Sequence, residues 1–212
     1  MNMSEKNEST STFKNFKAMY EELSRAGYPD IKKYGNNNDY IKVLKNGNYD
    51  LETYIEIIKK WLPKIEYKTG GLLLIAKTDI KYDGSIIIPI FNEADTADRW
   101  RICSAIVKNP PLNINDWVKS IYLSKTYSYS EIGILPLAII KMFPKDQARE
   151  ILREGFDHNY RVTPEALGKI GELEDIPFLE NKLNRHYDAT HVHRDINKAI
   201  SKIKKRGNGS VK

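Results

Sequence analysis

A small residue beside aliphatic side chains recurs at a nearly constant interval, and this periodicity constrains the fold more than any other feature of the chain. The segments RWRICSAIVK, GILPLAIIKM, TPEALGKIGE and INKAISKIKK carry alanine at positions 105, 138, 166 and 199, which are 33, 28 and 33 residues apart. A weaker copy, LLLIAKTD, carries Ala76 another 29 residues upstream. Periods of about 20–50 residues are typical of stacked structural repeats. The spacing therefore predicts a repeat architecture in which each alanine lies at a close helix–helix contact.

Each repeat is predicted to be a pair of helices joined by a polar loop. An apolar segment precedes each alanine copy by about half a repeat, and two of these segments contain proline, Pro89 in SIIIPIFNE and Pro177 in DIPFLENKLN. Such hairpins must stack, because a single hairpin cannot bury its apolar face. The joining loops contain Asp or Asn side chains that are expected to cap the second helices: Asp95, Asp98, Asp157, Asn159 and Asp188.

Hydrophobic spacing predicts helices along most of the chain. We expect Asp50 to cap one helix and Pro63 to distort its last turn. The apolar runs LLLIA and IIIPI fit strands as well as helices, and helix is favoured because no alternating polar pattern surrounds them. Tyr34–Tyr40 is expected to be a loop. The predicted helices are Thr12–Arg25, Asp50–Ile65, Gly71–Asp79, Ser85–Asn92, Thr96–Lys108, Ile114–Leu123, Ser130–Met142, Lys145–Gly155, Arg161–Ile170, Ile176–Leu183 and His191–Lys205.

The repeat resembles that of the HEAT-like family, in particular the PBS-lyase-type HEAT repeats of bacterial proteins. The stretch ALGKIGELEDIPFLENKLN, Ala166–Asn184, is the most similar copy, and RWRICSAI is similar to the family's second-helix pattern. Pro136 and Pro164 depart from this pattern, because both fall inside predicted second helices. The resemblance covers roughly residues 70–205 and implies an all-α, right-handed α-solenoid of about four to five helical hairpins with an N-terminal helical cap.

The chain divides by composition into four regions. Residues 1–11 are polar and expected to be disordered, residues 12–69 to form the N-terminal cap, residues 70–206 the solenoid, and residues 207–212 a flexible basic tail. The residues after Lys205 lack an apolar face, so we expect them to be dispensable for folding.

The net charge is confined to the C-terminal end. From Arg194 to Lys212 there are seven basic residues and one acidic residue, so this segment carries the whole net charge of +6 and the rest of the chain is neutral. A protein that holds a duplex usually spreads basic residues along a face. Cations at the end of a final helix are also favoured by the helix dipole. The charge distribution therefore favours a protein partner over nucleic acid.

The residue types that carry chemistry are sparse. The single cysteine, Cys103, rules out an internal disulfide, suits the cytoplasm and is expected to be a buried small hydrophobe. No secretory signal or membrane-spanning run is present, so no membrane partner is expected. His186, His191 and His193 lack metal-ligand spacing. We therefore predict no catalytic residue, no metal site and no cofactor.

The remaining candidates are arginines and tryptophans. The proposed contact set on the concave face is Arg99, Trp100, Arg101, Arg161 and Arg194. These arginines could instead brace neighbouring repeats by pairing with loop acids, and Trp61, Trp100 and Trp117 could be core residues. The first hypothesis is a non-enzymatic protein-binding scaffold or adaptor. The alternative, which the resemblance suggests, is a HEAT-type DNA glycosylase or another nucleic-acid-binding protein that stacks bases on its aromatics.

Overall fold

The computed structural model describes residues 13–29, 47, 49–78, 80–185 and 191–209. Within these ranges the chain is all-α, as predicted, and contains no strand. Two short 3-10 helices, Gly84–Ile86 and Leu173–Asp175, precede α4 and α11. The α-helices are α1 (Lys14–Arg25), α2 (Leu51–Trp61), α3 (Lys68–Ala76), α4 (Ile87–Glu93), α5 (Thr96–Lys108), α6 (Asn115–Leu123), α7 (Tyr129–Ile132), α8 (Pro136–Met142), α9 (Lys145–Glu154), α10 (Thr163–Ile170), α11 (Ile176–Leu183) and α12 (His191–Gly209).

Several sequence predictions are confirmed and others lie outside the described residues. The bounds of α5 and α11 are those predicted, and the ambiguous runs LLLIA and IIIPI are helical. The expected disorder of residues 1–11 and the expected loop Tyr34–Tyr40 fall on residues that are not described. No helix in the described part of the chain is long and apolar enough to cross a membrane.

Proline explains the helix boundaries that sequence spacing placed wrongly. The single helix predicted over Ser130–Met142 is two helices, because Pro136 begins α8 and interrupts the hydrogen-bond ladder after α7. The helix predicted from Arg161 starts at Thr163, which places Pro164 in its first turn, where no backbone donor is needed. The helix predicted to reach Ile65 ends at Trp61, before Pro63.

The capping prediction holds at two loops and fails at a third. The Asp50 carboxylate accepts from Thr53 N at 3.0 Å, and the Asp95 carboxylate accepts from Asp98 N at 2.8 Å. Before α10 no side chain caps the helix. Asp157 instead accepts from Lys182 Nζ at 2.6 Å, and Asn159 Nδ2 donates to Tyr122 O at 3.0 Å. These two side chains connect neighbouring helix pairs, so the prediction that they cap the second helix was wrong.

The helices that carry the repeated alanines contact one another in chain order. α3 contacts α5, α5 contacts α7 and α8, α8 contacts α10, and α10 contacts α12. All five alanines are buried, with exposures of 3% or less: Ala76, Ala105, Ala138, Ala166 and Ala199. At the last contact, a Cβ on Gly168 would come within 3.1 Å of Ala199 Cα. Small residues therefore allow the close approach that the repeat spacing predicts.

The remaining helices pack beside this series. α2 contacts α3, α4 contacts α5, α6 contacts α8, α9 contacts α10, and α11 contacts α12. α1 packs on α2 and buries Met19 and Leu23. A short pairing ties the segments before α4 and α6, since Gly84 N donates to Leu112 O at 2.9 Å and Leu112 N donates to Tyr82 O at 2.8 Å.

The C-terminal helix is longer than predicted. α12 continues past Lys205 to Gly209, so the predicted boundary between solenoid and tail at residue 206 falls inside a helix. Arg206 donates to the carbonyl oxygens of Gly168 and Gly171 at 2.7 and 2.6 Å, at the end of α10. Arg206 satisfies carbonyls that α10 leaves open, which counts against the expectation that everything after Lys205 is dispensable. Whether these residues are needed for folding stays a prediction.

Candidate functional site

Three side chains lie in one row, two from second helices and one from the turn before the next second helix. The Trp100 ring of α5 and the Tyr129 ring of α7 have centroids 6.1 Å apart at a tilt of 56°. The Arg161 guanidinium, just before α10, lies 4.8 Å from the Tyr129 ring centroid and 6.0 Å from that of Tyr160. Trp100, Tyr129 and Arg161 are all half-buried. We call Trp100, Tyr129 and Arg161 the second-helix row, a partly exposed group of two aromatic rings and one cation.

The row continues into a groove between α10 and α12. This groove has a volume of about 260 Å³. Its floor is formed where Gly168 and Ala199 meet, and its walls carry both signs of charge. Eight residues line it: Arg161, Pro164, Glu165, Gly168, Asp195, Lys198, Ala199 and Lys202.

Arg99 is placed as a brace. Its Nη1 donates to Glu131 Oε1 at 2.7 Å, its Nε donates to Phe91 O at 3.2 Å, and its guanidinium lies 5.3 Å from the Tyr127 ring centroid. Burial raises the pKa of Glu131, but hydrogen bonds from Ser128 and Arg99 outweigh it and hold the pKa below its ordinary value. Arg99 therefore connects α4, α5 and α7, which is the alternative role considered for these arginines.

The other two predicted arginines are more exposed. Arg101 donates to Asp98 Oδ1 at 2.7 Å within α5, and this pair raises the pKa of Arg101. Asp98 also accepts from Thr69 Oγ1 at 3.2 Å, which links α5 to α3. Arg194, on α12, lies 3.4 Å from Asp195 and is 66% exposed. The predicted arginines thus comprise one brace, Arg99, one half-buried residue of the row, Arg161, and two exposed residues, Arg101 and Arg194.

The three tryptophans do not form one cluster. Trp61 Nε1 donates to Glu22 Oε2 at 2.7 Å and joins α2 to α1. Trp117 packs edge-on against Phe91, with centroids 5.2 Å apart. Trp61 and Trp117 are therefore packing residues, and Trp100 is the tryptophan that joins the row.

The cysteine and the histidines are the residues that the sequence singled out for possible chemistry. Cys103 is fully buried, and burial raises the pKa of its thiol, so it is unsuited to act as a nucleophile. His193 Nε2 lies 2.8 Å from Arg185 O. Among the described residues no group of His, Cys, Asp and Glu side chains is arranged to hold a metal ion. His186 and Asp188 lie outside the described residues.

The contact set proposed from the sequence leaves out three residues of this surface. Tyr129 stands in a loop-like stretch, SKTYSYS, and only the fold brings it to Trp100. Lys198 and Lys202 had a usable signal, since they follow Arg194 at intervals of four residues. That spacing places the three side chains on one face of a helix. The net charge of the segment does not reveal this arrangement.

Comparison of the chain with family models, with curated proteins and with solved structures gives no match.

Proposed function

We propose that this chain is an α-solenoid of stacked HEAT-like hairpins and serves as a protein-binding scaffold. Five helix pairs support this arrangement: α2 with α3, α4 with α5, α6 with α7–α8, α9 with α10, and α11 with α12. The ordered contacts from α3 through α12, with a buried alanine in every second helix, are what stacking requires. The right-handed sense stays a prediction from the resemblance.

The observation that carries the binding role is the second-helix row. Aromatic and arginine side chains are enriched at the anchoring positions of protein interfaces, because they bury a large surface and still form hydrogen bonds. Trp100 and Tyr129 come from two different helices, Arg161 from the turn before a third, and the three partly exposed side chains meet. Their stacking also limits the side-chain entropy that a contact would cost.

The same surface fits nucleic acid less well. Carboxylates stand beside the cations along these helices, with Asp98 next to Arg101, and Glu165 and Asp195 in the groove. A glycosylase would also need an exposed carboxylate facing the stacked base. Glu131, which follows Tyr129 by two residues, is buried and bonded to Arg99. The second-helix row is therefore better suited to bind a protein surface of mixed charge than a nucleic acid.

The test compares Arg161, the arginine of the second-helix row, with Arg99, the brace. Wild-type protein and its Arg161→Ala and Arg99→Ala variants are expressed as baits in the source cell and crosslinked to their partners. The lysate is treated with nuclease before the baits are captured, and the thermal stability of each bait is measured in parallel. We expect Arg161→Ala to lose one specific partner at least about tenfold and to lower thermal stability less than Arg99→Ala does. Arg99→Ala should lower stability with or without the partner, because it leaves Glu131 buried and unpaired.

Lys17→Ala is the matched control, since Lys17 is exposed on α1, outside the second helices. It should recover the partner as the wild type does. Equal recovery by all baits, or a partner lost only when nuclease is added, would contradict the proposal.

A further inference from the structure

One face of α12 carries a line of exposed cations. Arg194, Lys198, Lys202 and Lys205 follow one another at intervals of four, four and three residues, which places them on the same side of a helix. The side chains of Arg194 and Lys198 are 66% and 61% exposed. We call these four residues the α12 stripe. The opposite side of the helix packs on the body of the protein through Val192, Ile196, Ala199, Ile200 and Ile203.

The stripe forms one wall of the groove between α10 and α12. Lys198 and Lys202 belong to both, and Arg161 faces them from the α10 side. Two carboxylates also line the groove. Asp195 lies 3.4 Å from Arg194 and 3.6 Å from Lys198, and Glu165 pairs with Lys169 at 2.7 Å.

Two lysines of the stripe have no carboxylate partner in the part of the chain that the structure describes. Over the described ranges, neither Lys202 nor Lys205 forms an ion pair. The stripe and the groove together therefore carry an excess of positive charge. An anionic group that approached Lys202 or Lys205 would not have to displace an existing pair.

The arrangement of these charges distinguishes between two kinds of anion. A nucleic-acid backbone carries a negative charge at every nucleotide, so a strand along the groove would meet Glu165 and Asp195 as well as the lysines. A peptide can place carboxylates opposite the lysines and uncharged side chains opposite Glu165 and Asp195. The uncharged floor at Gly168 and Ala199 also suits an apolar side chain.

The spacing of the stripe matches a helical partner. Cations one helical turn apart lie about 5–6 Å from each other along the axis. Carboxylates three and four residues apart on a second helix have the same repeat. A helix of this kind could present an apolar residue between two such carboxylates, directly over the groove floor.

We infer that the α12 stripe and the adjoining groove bind an acidic amphipathic helix of a protein partner. Its carboxylates pair with Lys198, Lys202 and Lys205, and an apolar side chain enters the groove over Gly168 and Ala199. This inference rests on the proposed scaffold function and specifies the chemistry of the partner segment.

The probe is a fluorescein-labelled helical peptide with glutamates three and four residues apart and one central leucine. Its binding to the full chain is followed by fluorescence anisotropy at several salt concentrations. A peptide with glutamine in place of glutamate, a single-stranded thymidine oligonucleotide and a DNA duplex are measured alongside. We expect salt-dependent binding of the acidic peptide that is tighter than binding of either nucleic acid.

Charge reversal on the two sides of α12 gives a matched pair of variants. Lys202→Glu should weaken the acidic peptide at least about tenfold, and Lys202→Gln less. Lys204→Glu makes the same charge change on the other side of the helix, where Lys204 lies 3.7 Å from Glu180, and should change binding less than about twofold. Unchanged circular dichroism and melting of each variant show that the fold is intact.

Three results would overturn the inference. The first is an equal loss of peptide binding with Lys202→Glu and Lys204→Glu. The second is binding of the glutamine peptide as tight as that of the glutamate peptide, and the third is tighter binding of an oligonucleotide that Lys202→Glu abolishes.

The capture experiment with Arg161→Ala separates failure of the acidic-helix inference from failure of the scaffold function. A partner that depends on Arg161 but is indifferent to Lys202→Glu leaves the scaffold in place and removes the acidic-helix assignment. The absence of any partner dependent on Arg161 contradicts the scaffold itself.

Discussion

Arg149 shows how single charged residues connect the helix pairs. Its side chain is 3% exposed on α9, and its Nε donates to Asp175 Oδ2 at 2.7 Å. It also pairs with Glu174, with Glu172 at 3.4 Å and with Asp146 at 3.2 Å. Burial lowers the pKa of Arg149, but the hydrogen bonds to the carboxylates outweigh it and raise the pKa above its ordinary value. The guanidinium therefore links α9 to the 3-10 helix that precedes α11.

Replacing this guanidinium should be costly. Arg149→Met keeps much of the side-chain volume but leaves the fully buried Asp175 with Arg153 Nη1, at 3.1 Å, as its remaining cation. We expect the free energy of unfolding to fall by about 3 kcal/mol, measured by urea denaturation. Glu150→Ala, at an exposed neighbouring position on α9, should change it by less than about 0.5 kcal/mol. A near-neutral Arg149→Met would show that the cluster contributes little.

The Arg99–Glu131 brace should make stability depend on pH. The folded-state pKa of Glu131 is lowered from 4.5, so its ionised form stabilises the fold above pH 4.5, and this contribution is lost as the pH falls through the lower folded-state value. Glu131→Gln removes the contribution. The difference in melting temperature between wild type and this variant should be constant from neutral pH to about 4.5 and shrink below it. A difference that persists unchanged in stronger acid would contradict the assignment.

At the scale of elements, the sequence predicted helices well where caps and apolar spacing agree. Asp95 marks the start of α5, and a Gly-containing turn with Ile-Pro marks the start of α11, so both helices have the predicted bounds. The break before Pro136 was missed because the apolar positions continue across it without interruption. The second-helix row could not be predicted, since Tyr129 and Arg161 are 32 residues apart and meet only through stacking.

The end of α12 provides an element-scale prediction. Truncation after Arg206 keeps the guanidinium that donates to Gly168 O and Gly171 O, whereas truncation after Lys205 removes it. We expect the shorter chain to melt about 5 °C lower than the longer one, because two carbonyls at the end of α10 lose a charged donor. Arg206→Ala in the full chain should reproduce this loss, and Lys205→Ala should not. Equal melting of the two truncated chains would show that water replaces Arg206 without cost.

At the scale of the whole molecule, the helix contacts connect near neighbours. α12 packs on α10 and α11, while α3 packs on α2, α4 and α5. In such an arrangement stability is approximately the sum of each unit's own stability and its interfaces with the next unit. Damage to one unit is then expected to spread only to the units that adjoin it.

Ala166→Arg tests this locality. Ala166 is fully buried in α10, which contacts α8, α9 and α12, so an arginine there forces a charged group into a packed contact. We expect hydrogen exchange, followed by mass spectrometry, to lose protection in α9–α12 while α2, α3 and the start of α5 keep theirs. Ala97→Arg, at an exposed position of α5, is the control and should leave protection unchanged throughout. Stacked units share interfaces only with their neighbours, so a uniform loss of protection across the chain would indicate a single cooperative core. That result would contradict the solenoid arrangement on which the proposed binding surface depends.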